Sequence, residues 1–314
     1  NQLYDSFYVQ SRVQVLLVEP RIETETFNQA TFFFSRALDP FLGEEDATKK
    51  GTRFVPAVVP VNSAADRIAE LEPQTSVVFL PATSRVSQAM GDALAKFVKS
   101  GGGLVVFNGT YARAPLYKQY LGELLPVEIG DVEGIEGRVT VEIVTESHPL
   151  WGGLDEPSRR QMSRLPLFKR SKVKVDKGSR TLARYSDGVP LVVQKTVGAG
   201  RVLFVNTSAD RQWGDWQTQG GLFVPTIHVL ASQALASREG TLRNAGVQLA
   251  VDSTAGFDVG SAYSGQTVSI ADEQLHVDEQ GVVGDTLRQK PGLYVVEAED
   301  GSIVRQFAVN VPPE

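Results

Sequence analysis

The sequence predicts an α/β protein in which a mostly parallel sheet carries an antiparallel β extension and is followed by a small β-sandwich. Three observations indicate this architecture. Short apolar runs alternate with helical patterns over residues 13–107, which is typical of strand–helix–strand units with right-handed crossovers. Turn-separated runs of alternating polarity occupy residues 127–197, and short strand patterns with little helical periodicity occupy residues 245–314.

The strands of the parallel part are indicated by compact apolar runs. Val13–Val18 (VQVLLV) is the first, and it ends just before Pro20, which cannot donate to a sheet ladder. Phe54–Val61 (FVPAVVPV) is the second, and its two prolines predict an edge position. Thr75–Leu80 (TSVVFL) and Leu104–Phe107 (LVVF) are the third and fourth predicted strands.

Two helices are predicted between these strands. Glu25–Leu38 has apolar residues near one face, and a second helix follows Ser84, which we expect to be its N-cap. The second helix is expected to end at the Gly101–Gly103 triplet, because glycine readily adopts the left-handed conformation that closes a helix. Phosphate-binding loops follow a strand and open a helix, whereas this triplet precedes a strand, so we interpret it as a turn.

The remainder of the first domain is predicted to contain an antiparallel β-rich insertion, one further buried strand and a closing helix. Arg201–Asn206 (RVLFVN) has the pattern of the buried strand, and Phe223–Ser237 has the pattern of the helix. The predicted antiparallel strands of the insertion are Val139–Val144, Ser171–Val175, Thr181–Tyr185 and Pro190–Thr196.

The composition changes after Gly240, which predicts two domains. Residues 1–244 are expected to form the α/β domain with its insertion at 127–197, and residues 245–314 a small β-sandwich. The predicted strands of the second domain are Gln266–Ile270, Leu293–Glu297 and Ile303–Val311.

Composition narrows the possible functions. The 314 residues include 31 Lys and Arg against 37 Asp and Glu, a net charge of -6 that argues against a nucleic-acid partner. Cysteine is absent, so disulfides, thiolate zinc sites and cysteine nucleophiles are excluded. The three histidines, at 148, 228 and 276, lack the spacing of paired metal ligands. We therefore predict no metal site and no cofactor.

The chain begins with Asn1 and contains no run of eighteen apolar residues that could span a bilayer. We expect these 314 residues to be part of a longer protein, with any membrane anchor elsewhere in that protein.

Candidate functional residues follow the predicted parallel strands, because ligands of open α/β sheets bind beyond the carboxyl ends of the strands. Such residues also cap helices and close turns, and that purely structural role stays open for each of them. The positions singled out in this way are Glu19, Thr83, Ser84, Asn108, Gly109, Thr110, Tyr111, Ser208 and Asp210.

The turn at Asn108–Tyr111 occupies the place of a nucleophile elbow. An elbow of that type needs a nucleophile, a nearby base and backbone donors for the oxyanion. Thr110 and Tyr111 offer the only hydroxyls there, and catalytic threonines usually work as N-terminal residues. A catalytic Thr110 is therefore disfavoured.

The segment Asn206–Trp216 is a second candidate. It combines Asp210, Arg211, Trp213 and Trp216 in one loop after a central strand. Exposed tryptophans could stack on a sugar or anchor a protein partner, since such interfaces are rich in Trp and Arg. Equally, both tryptophans could cover the apolar edge between the sheet and the insertion.

The histidines are weaker candidates. His148 follows a strand pattern, and as a general base it would need a nucleophile and an orienting carboxylate. His228 lies on an apolar helical pattern, where packing is the simpler role, and His276 falls in the second domain.

Several stretches together resemble a known family. VQVLLVEP, TSVVFLPA and KFVKSGGGLVVFNG, in this order, are similar to the class I glutamine amidotransferase-like fold, which is flavodoxin-like. ESHPLWGGL, RYSDGVPLVVQKTVGAGRVLFVNTSADRQWGDW and FVPTIHVL resemble the version of this domain found in large bacterial membrane proteins of the aerotolerance (Bat-type) group, which also contain a von Willebrand factor A domain. The resemblance covers about residues 1–240 and implies a membrane-anchored parent protein with this domain outside the cytoplasm.

The chain departs from active amidotransferases at the residues that perform the reaction. Those enzymes have Gly-x-Cys-x-Gly at the elbow, where this chain has Asn108-Gly109-Thr110-Tyr111-Ala112. Their His-Pro-Glu pattern is replaced by His148-Pro149-Leu150. The resemblance therefore implies the fold and the setting, and it does not imply the activity.

The leading hypothesis is a non-catalytic, extracytoplasmic binding or scaffolding module of a membrane-anchored bacterial protein, with protein partners or other domains of the same chain. For a scaffold, we expect an exposed apolar patch that includes Trp213 or Trp216. One alternative is a hydrolase of saccharides or peptides that uses Thr110 or Glu19 with His148. Another is a small-molecule sensor, which needs a concave pocket at the strand ends.

Overall fold

The computed structural model describes two compact parts of the chain, which separate between residues 236 and 237. In the first part it describes residues 12–19, 30–42, 52–136, 139–144, 160, 165 and 167–235. In the second part it describes residues 248–250, 257–258, 263–270, 273–277, 282–283, 292–299 and 303–310.

The first part is organised around an eight-stranded sheet. Its strands are β1 (Val13–Glu19), β2 (Phe54–Pro60), β3 (Ser76–Pro81), β4 (Gly103–Phe107), β6 (Val141–Ile143), β8 (Arg180–Tyr185), β9 (Pro190–Val197) and β10 (Gly200–Val205). They have the order β2-β1-β3-β4-β10-β9-β8-β6. From β2 to β10 all neighbours pair in parallel, and from β10 to β6 all neighbours pair antiparallel. A separate antiparallel ribbon consists of β5 (Val127–Gly134) and β7 (Lys169–Val175).

Helices cover both faces of the parallel strands, which is why these strands are apolar on both sides. Along β1, Val15 and Leu17 belong to one hydrophobic cluster, whereas Leu16 and Val18 belong to the other. The first cluster includes residues of α1 (Ala30–Leu38) and α5 (Gly220–Ala234). The second includes residues of α2 (Ala64–Ala69), α3 (Gln88–Lys99) and α4 (Ala114–Leu121).

The predicted α/β class, with a mostly parallel sheet and added antiparallel strands, is confirmed. The edge position predicted for the second strand is also correct, since β2 is the first strand of the sheet order. The Gly triplet ends α3 as expected: Gly101 has φ +109°, and the N–H of Gly102 donates to the Phe97 carbonyl at 3.0 Å. This is the Schellman pattern of helix closure.

Some details of the prediction differ from the structure. The N-cap of α3 is Ser87 and not Ser84, since Ser87 Oγ accepts a 3.3 Å hydrogen bond from the backbone N–H of Met90. Helices α2 and α4 were not predicted, because with six and eight residues they are too short for a clear helical period. The part of the first predicted helix before Ala30 lies outside the described residues.

The second part contains a five-stranded sheet and a two-stranded ribbon. Its strands are β11 (Gln248–Ala250), β12 (Phe257–Asp258), β13 (Thr267–Ile270), β14 (Glu273–His276), β15 (Val282–Val283), β16 (Gly292–Ala298) and β17 (Ile303–Asn310). The sheet has the order β11-β17-β16-β13-β14, and β12 pairs with β15 in the ribbon. Val268, Ile270 and Val296 belong to a small core of this part.

Candidate functional site

Three loops leave the parallel sheet side by side at its carboxyl edge. Pro81 of β3 and Val205 of β10 are both in register with Phe107 of β4, so these three strands end at one level. We call the segments that follow, residues 82–87, 108–113 and 206–219, the edge loops. They contain most of the candidate residues singled out in the sequence.

A buried amide pair joins the base of two edge loops to the β5–β7 ribbon. Asn108 Nδ2 donates to Asn206 Oδ1 at 3.0 Å and to Ser171 Oγ at 2.8 Å. Asn206 Nδ2 donates in turn to the Ser171 carbonyl at 2.8 Å. Because both asparagine side chains are buried and engaged, Asn108 holds the strand ends together and is not presented to a ligand.

Gly109 lies where the three edge loops touch. A Cβ at this position would be 2.7 Å from Ala82 Cβ and 2.8 Å from Ser208 Oγ, closer than side chains tolerate. Ala82 itself has φ +51°, an uncommon conformation for a residue other than glycine. Position 109 therefore has room for glycine alone, because the neighbouring loops fill the space that a side chain would need.

A hydrogen-bonded group that we call the latch ties the second edge loop to the third. Its members are Thr110, Asp210 and Trp213. Thr110 Oγ1 donates to Asp210 Oδ2 and accepts from Trp213 Nε1 at 3.1 Å. The other oxygen of Asp210, Oδ1, accepts from the backbone N–H of Gln212 at 2.8 Å. Both carboxylate oxygens of Asp210 thus have partners inside the protein.

Both tryptophans of the third edge loop are buried, at 1% exposure for Trp213 and 2% for Trp216. Trp216 Nε1 donates to the Ser208 carbonyl at 2.6 Å, and its ring packs edge-on against Phe223. The expectation of an exposed apolar patch at these residues is therefore wrong. The two indole rings pack into the core beneath the loop. Burial of a tryptophan is favourable where its indole N–H has a hydrogen-bond acceptor, and both rings meet this condition.

The remaining candidates are distributed differently. Arg211 is exposed and Tyr111 is half-buried on the edge loops, and Thr83 is buried. Glu19, at the end of β1, is buried and accepts hydrogen bonds from the hydroxyl and backbone N–H of Thr31.

Of the histidines, His228 contacts the Ala37 carbonyl at 2.7 Å through Nε2. His276 is exposed on β14 in the second part of the chain. His148 lies outside the described residues, so its predicted role is not tested.

The structure also contains a charged cluster of Arg170, Asp187 and Glu133 that the sequence analysis did not predict. The buried guanidinium of Arg170 donates to both oxygens of Asp187 at 2.6 and 2.7 Å and to Glu133 Oε1 at 2.8 Å. It also lies 4.9 Å from the ring centroid of Tyr185, whose hydroxyl donates to the Asn206 carbonyl. The bond with Arg170 lowers the pKa of Asp187, and burial raises the pKa of Tyr185. Since these partners are distant in sequence, no local motif indicated the cluster.

A cavity of about 310 Å³ lies between α4 and β5, and no edge-loop residue lines it. Leu125, Val127 and Tyr117 form apolar parts of its wall, and Lys118 and Glu128 pair across its lining. Burial raises the pKa of the Tyr117 phenol, and the adjacent Thr83 lowers it by a smaller amount. This cavity does not meet the expectation of a pocket at the strand ends.

The described ranges contain no group of three or more His, Asp and Glu side chains placed to hold a metal ion. In the same ranges, we find no helix with the length and apolar character needed to cross a bilayer.

Comparison with known proteins places only the fold. No protein-family model matches the sequence, and no curated protein matches it. A cytoplasmic protein of Salmonella typhimurium is 16% identical over 71% of this chain and 99% of its own, with a TM-score of 0.50, which indicates a shared fold.

Two further structures are less similar. A second cytoplasmic protein of Salmonella typhimurium LT2 (16% identity, 70% of this chain, 100% of its own) has a TM-score of 0.49. A ThuA-like protein of Bacteroides uniformis (17% identity, 74% of this chain, 96% of its own) has a TM-score of 0.48.

Proposed function

We propose that this chain is a non-catalytic binding or scaffolding module whose working surface is formed by the edge loops. The latch is the observation that carries this proposal. The Thr110 hydroxyl donates to Asp210 and also accepts from the indole N–H of the buried Trp213, so it is held between two elements of the protein. The adjacent Gly109 is enclosed by Ala82 and Ser208. This geometry favours a rigid surface over a reaction centre.

The finer description of the fold belongs to the same proposal. We propose a flavodoxin-like, class I glutamine amidotransferase-like α/β domain, supported by the sequence resemblance. We also propose that the sheet and ribbon of the second part form a small β-sandwich, supported by the shared core of Val268, Val283 and Val296. Partners are other proteins or other domains of the same parent chain, outside the cytoplasm of a membrane-anchored bacterial protein, and the Bat-type resemblance alone supports that setting.

The hydrolase alternative has one observation in its favour. Thr110 is exposed and its hydroxyl donates to a carboxylate, an arrangement from which a proton could be removed. Its proposed partner His148 lies outside the described residues, and Glu19 is engaged by Thr31.

Turnover measurements separate the two functions. The purified chain, Thr110→Ala and Asp210→Asn are incubated with chromogenic glycosides, esters and peptides. A binding module predicts no turnover above buffer, or a background rate that neither substitution changes. Hydrolysis that falls at least about tenfold in Thr110→Ala, in a variant with unchanged circular dichroism, would establish the hydrolase instead.

Partner capture tests the location of the surface. We expect a partner retained by the wild type to be lost by Arg211→Glu, a charge reversal on the third edge loop. Lys177→Glu, an exposed charge reversal between β7 and β8, is the matched control and should retain the partner. Equal loss in both variants would contradict the assignment of the surface to the edge loops.

A further inference from the structure

The exposed charge of the edge loops has a single sign. Each loop carries one exposed arginine: Arg85 on the first, Arg113 on the second and Arg211 on the third. The two carboxylates of these loops, Asp210 and Asp215, are half-buried. The exposed charged side chains of the three edge loops are therefore all cationic, on a chain whose net charge is -6.

The side chains of these three arginines make no hydrogen bond or ion pair with any residue in the described ranges. Other arginines of the same unit do: Arg170 binds Asp187, and Arg184 binds Glu142. A guanidinium offers five donors in a planar fork that matches a carboxylate. The arginines of the edge loops thus have their full donor capacity available to a partner.

The packing of the edge keeps at least two of these side chains near each other. Arg211 directly follows Asp210, and Asp210 is bound to Thr110. Arg113 is three residues beyond Thr110, so the Cα atoms of these two residues are at most about 10 Å apart. Since the latch fixes the two loops, the guanidinium groups are presented from a preorganised surface, which lowers the entropy lost on binding.

The helices that follow the edge loops reinforce the positive potential. Helices α3, α4 and α5 begin at this edge, and none has an acidic residue in its first turn. The N-terminal end of a helix carries a partial positive charge, and an acidic first-turn residue would partly neutralise it. The helix ends therefore add to the field of the arginines.

We propose that the edge loops bind a carboxylate-rich segment of a protein partner, with Arg113 and Arg211 as the principal contacts and Arg85 at the border. This inference rests on the proposed binding function and names the chemistry of the partner. A short acidic segment meets only the local field of the edge, whereas a long nucleic acid would also meet the overall negative charge of the chain. Recognition of acidic motifs by clustered arginines is an established mode of peptide binding.

A capped, fluorescently labelled hexaglutamate peptide is the probe. Its anisotropy is measured with the wild-type chain, with Arg113→Ala/Arg211→Ala, and with Lys177→Ala/Arg180→Ala, which removes two exposed cations remote from the edge. We expect saturable binding to the wild type, at least about fivefold weaker binding to the edge variant, and unchanged binding to the remote variant. A hexaglutamine peptide should not bind, and added salt should weaken the hexaglutamate complex.

Other outcomes overturn the inference. Equal weakening in both double variants would mean that net charge alone attracts the peptide. Tighter, arginine-dependent binding of a single-stranded oligonucleotide of equal charge would assign the surface to nucleic acid. If hexaglutamate does not bind although Arg211→Glu abolishes partner capture, the acidic-segment inference fails and the proposed binding function stands. If Arg211→Glu also leaves capture unchanged, the proposed function fails as well.

Discussion

The buried side chain of Arg170, close to the edge loops, makes three hydrogen bonds to carboxylate oxygens. It binds both oxygens of Asp187 and one of Glu133, and the adjacent Ser171 binds Asn108 and Asn206. A buried guanidinium that loses a partner keeps its desolvation cost without the compensating attraction. Along β7, the residue of the ion pair is thus next to the residue that orients the amide pair.

Asp187→Asn should destabilise the chain by about 1–3 kcal/mol at neutral pH, because it leaves Arg170 with Glu133 alone. Arg170 holds the pKa of Asp187 below its ordinary value, so the unfolded chain binds a proton here more readily than the folded chain. This stabilisation is complete above the unfolded pKa, about 4, and is lost as pH falls through the lower folded pKa.

Urea unfolding at pH 7 and at pH 3 measures this effect. The difference between wild type and Asp187→Asn should be largest at pH 7 and smaller at pH 3. Glu142→Gln, which breaks the exposed Arg184–Glu142 pair, is the control and should cost less than about 1 kcal/mol. A difference for Asp187→Asn that grows towards acid pH would contradict the assigned pKa direction.

At the residue scale, the sequence located the edge residues but not their roles. Ligands of open α/β sheets bind beyond the carboxyl ends of the strands, and this rule selected Asn108, Thr110, Ser208 and Asp210. The structure brings these four residues together at one edge of the sheet. The exposure of Trp213 could not be predicted, because it depends on Thr110, which is 103 residues away. Burial of an aromatic ring is decided by such long-range packing and not by its neighbours in sequence.

At the element scale, α3 has well-defined ends at both termini. Ser87 caps its first turn, and Gly101 and Gly102 close its last turn. The glycine signal was strong in the sequence, whereas the predicted cap, Ser84, lies three residues before the cap in the structure. An N-cap needs extended φ/ψ, and Ser87 has this conformation, with φ -107° and ψ 166°.

Ser87→Ala should reduce the free energy of unfolding by about 0.5–2 kcal/mol, because one backbone N–H of the first turn loses its acceptor. Ser63→Ala is the comparison. Ser63 also precedes a helix, but its hydroxyl binds the Pro60 carbonyl and makes no cap bond, so the loss there should be smaller. Urea denaturation of both variants measures the two changes. An equal loss would show that the Ser87 hydroxyl does not cap α3.

The strands were easier to predict than the short helices. β1, β3, β4 and β10 are continuous apolar runs, because helices cover them on both faces. Helix α4 has only eight residues, little more than two turns, so its sequence carries little periodic signal. The antiparallel extension was recognised from alternation and turn glycines, such as Gly188 with φ +91°.

At the scale of the whole molecule, the two parts have separate cores. Both large hydrophobic clusters lie between Val13 and Leu235, and the small cluster lies between Val268 and Val296. A part with its own core is expected to unfold cooperatively by itself. The fragment 11–236 should therefore show one sigmoidal thermal transition, with a helical signal in circular dichroism close to that of the full chain.

Differential scanning calorimetry of the full chain and of this fragment checks the expectation. The full chain should show the fragment's transition together with a smaller one that the fragment lacks. A fragment that melts without a cooperative transition would show that its core is completed by residues beyond 236.

The pairing of β4 with β10 also determines when the edge can exist during synthesis. Leu104–Phe107 leaves the ribosome about a hundred residues before its parallel partner Val202–Val205. Thr110 likewise precedes its hydrogen-bond partner Asp210 by 100 residues. Contacts between residues so far apart in sequence form late in folding, because closing the long intervening loop costs conformational entropy. In a nascent or truncated chain that ends before β10, the third edge loop is absent and the latch between Thr110 and Asp210 cannot form. The surface that we propose for binding therefore exists only in a chain that extends through residue 219.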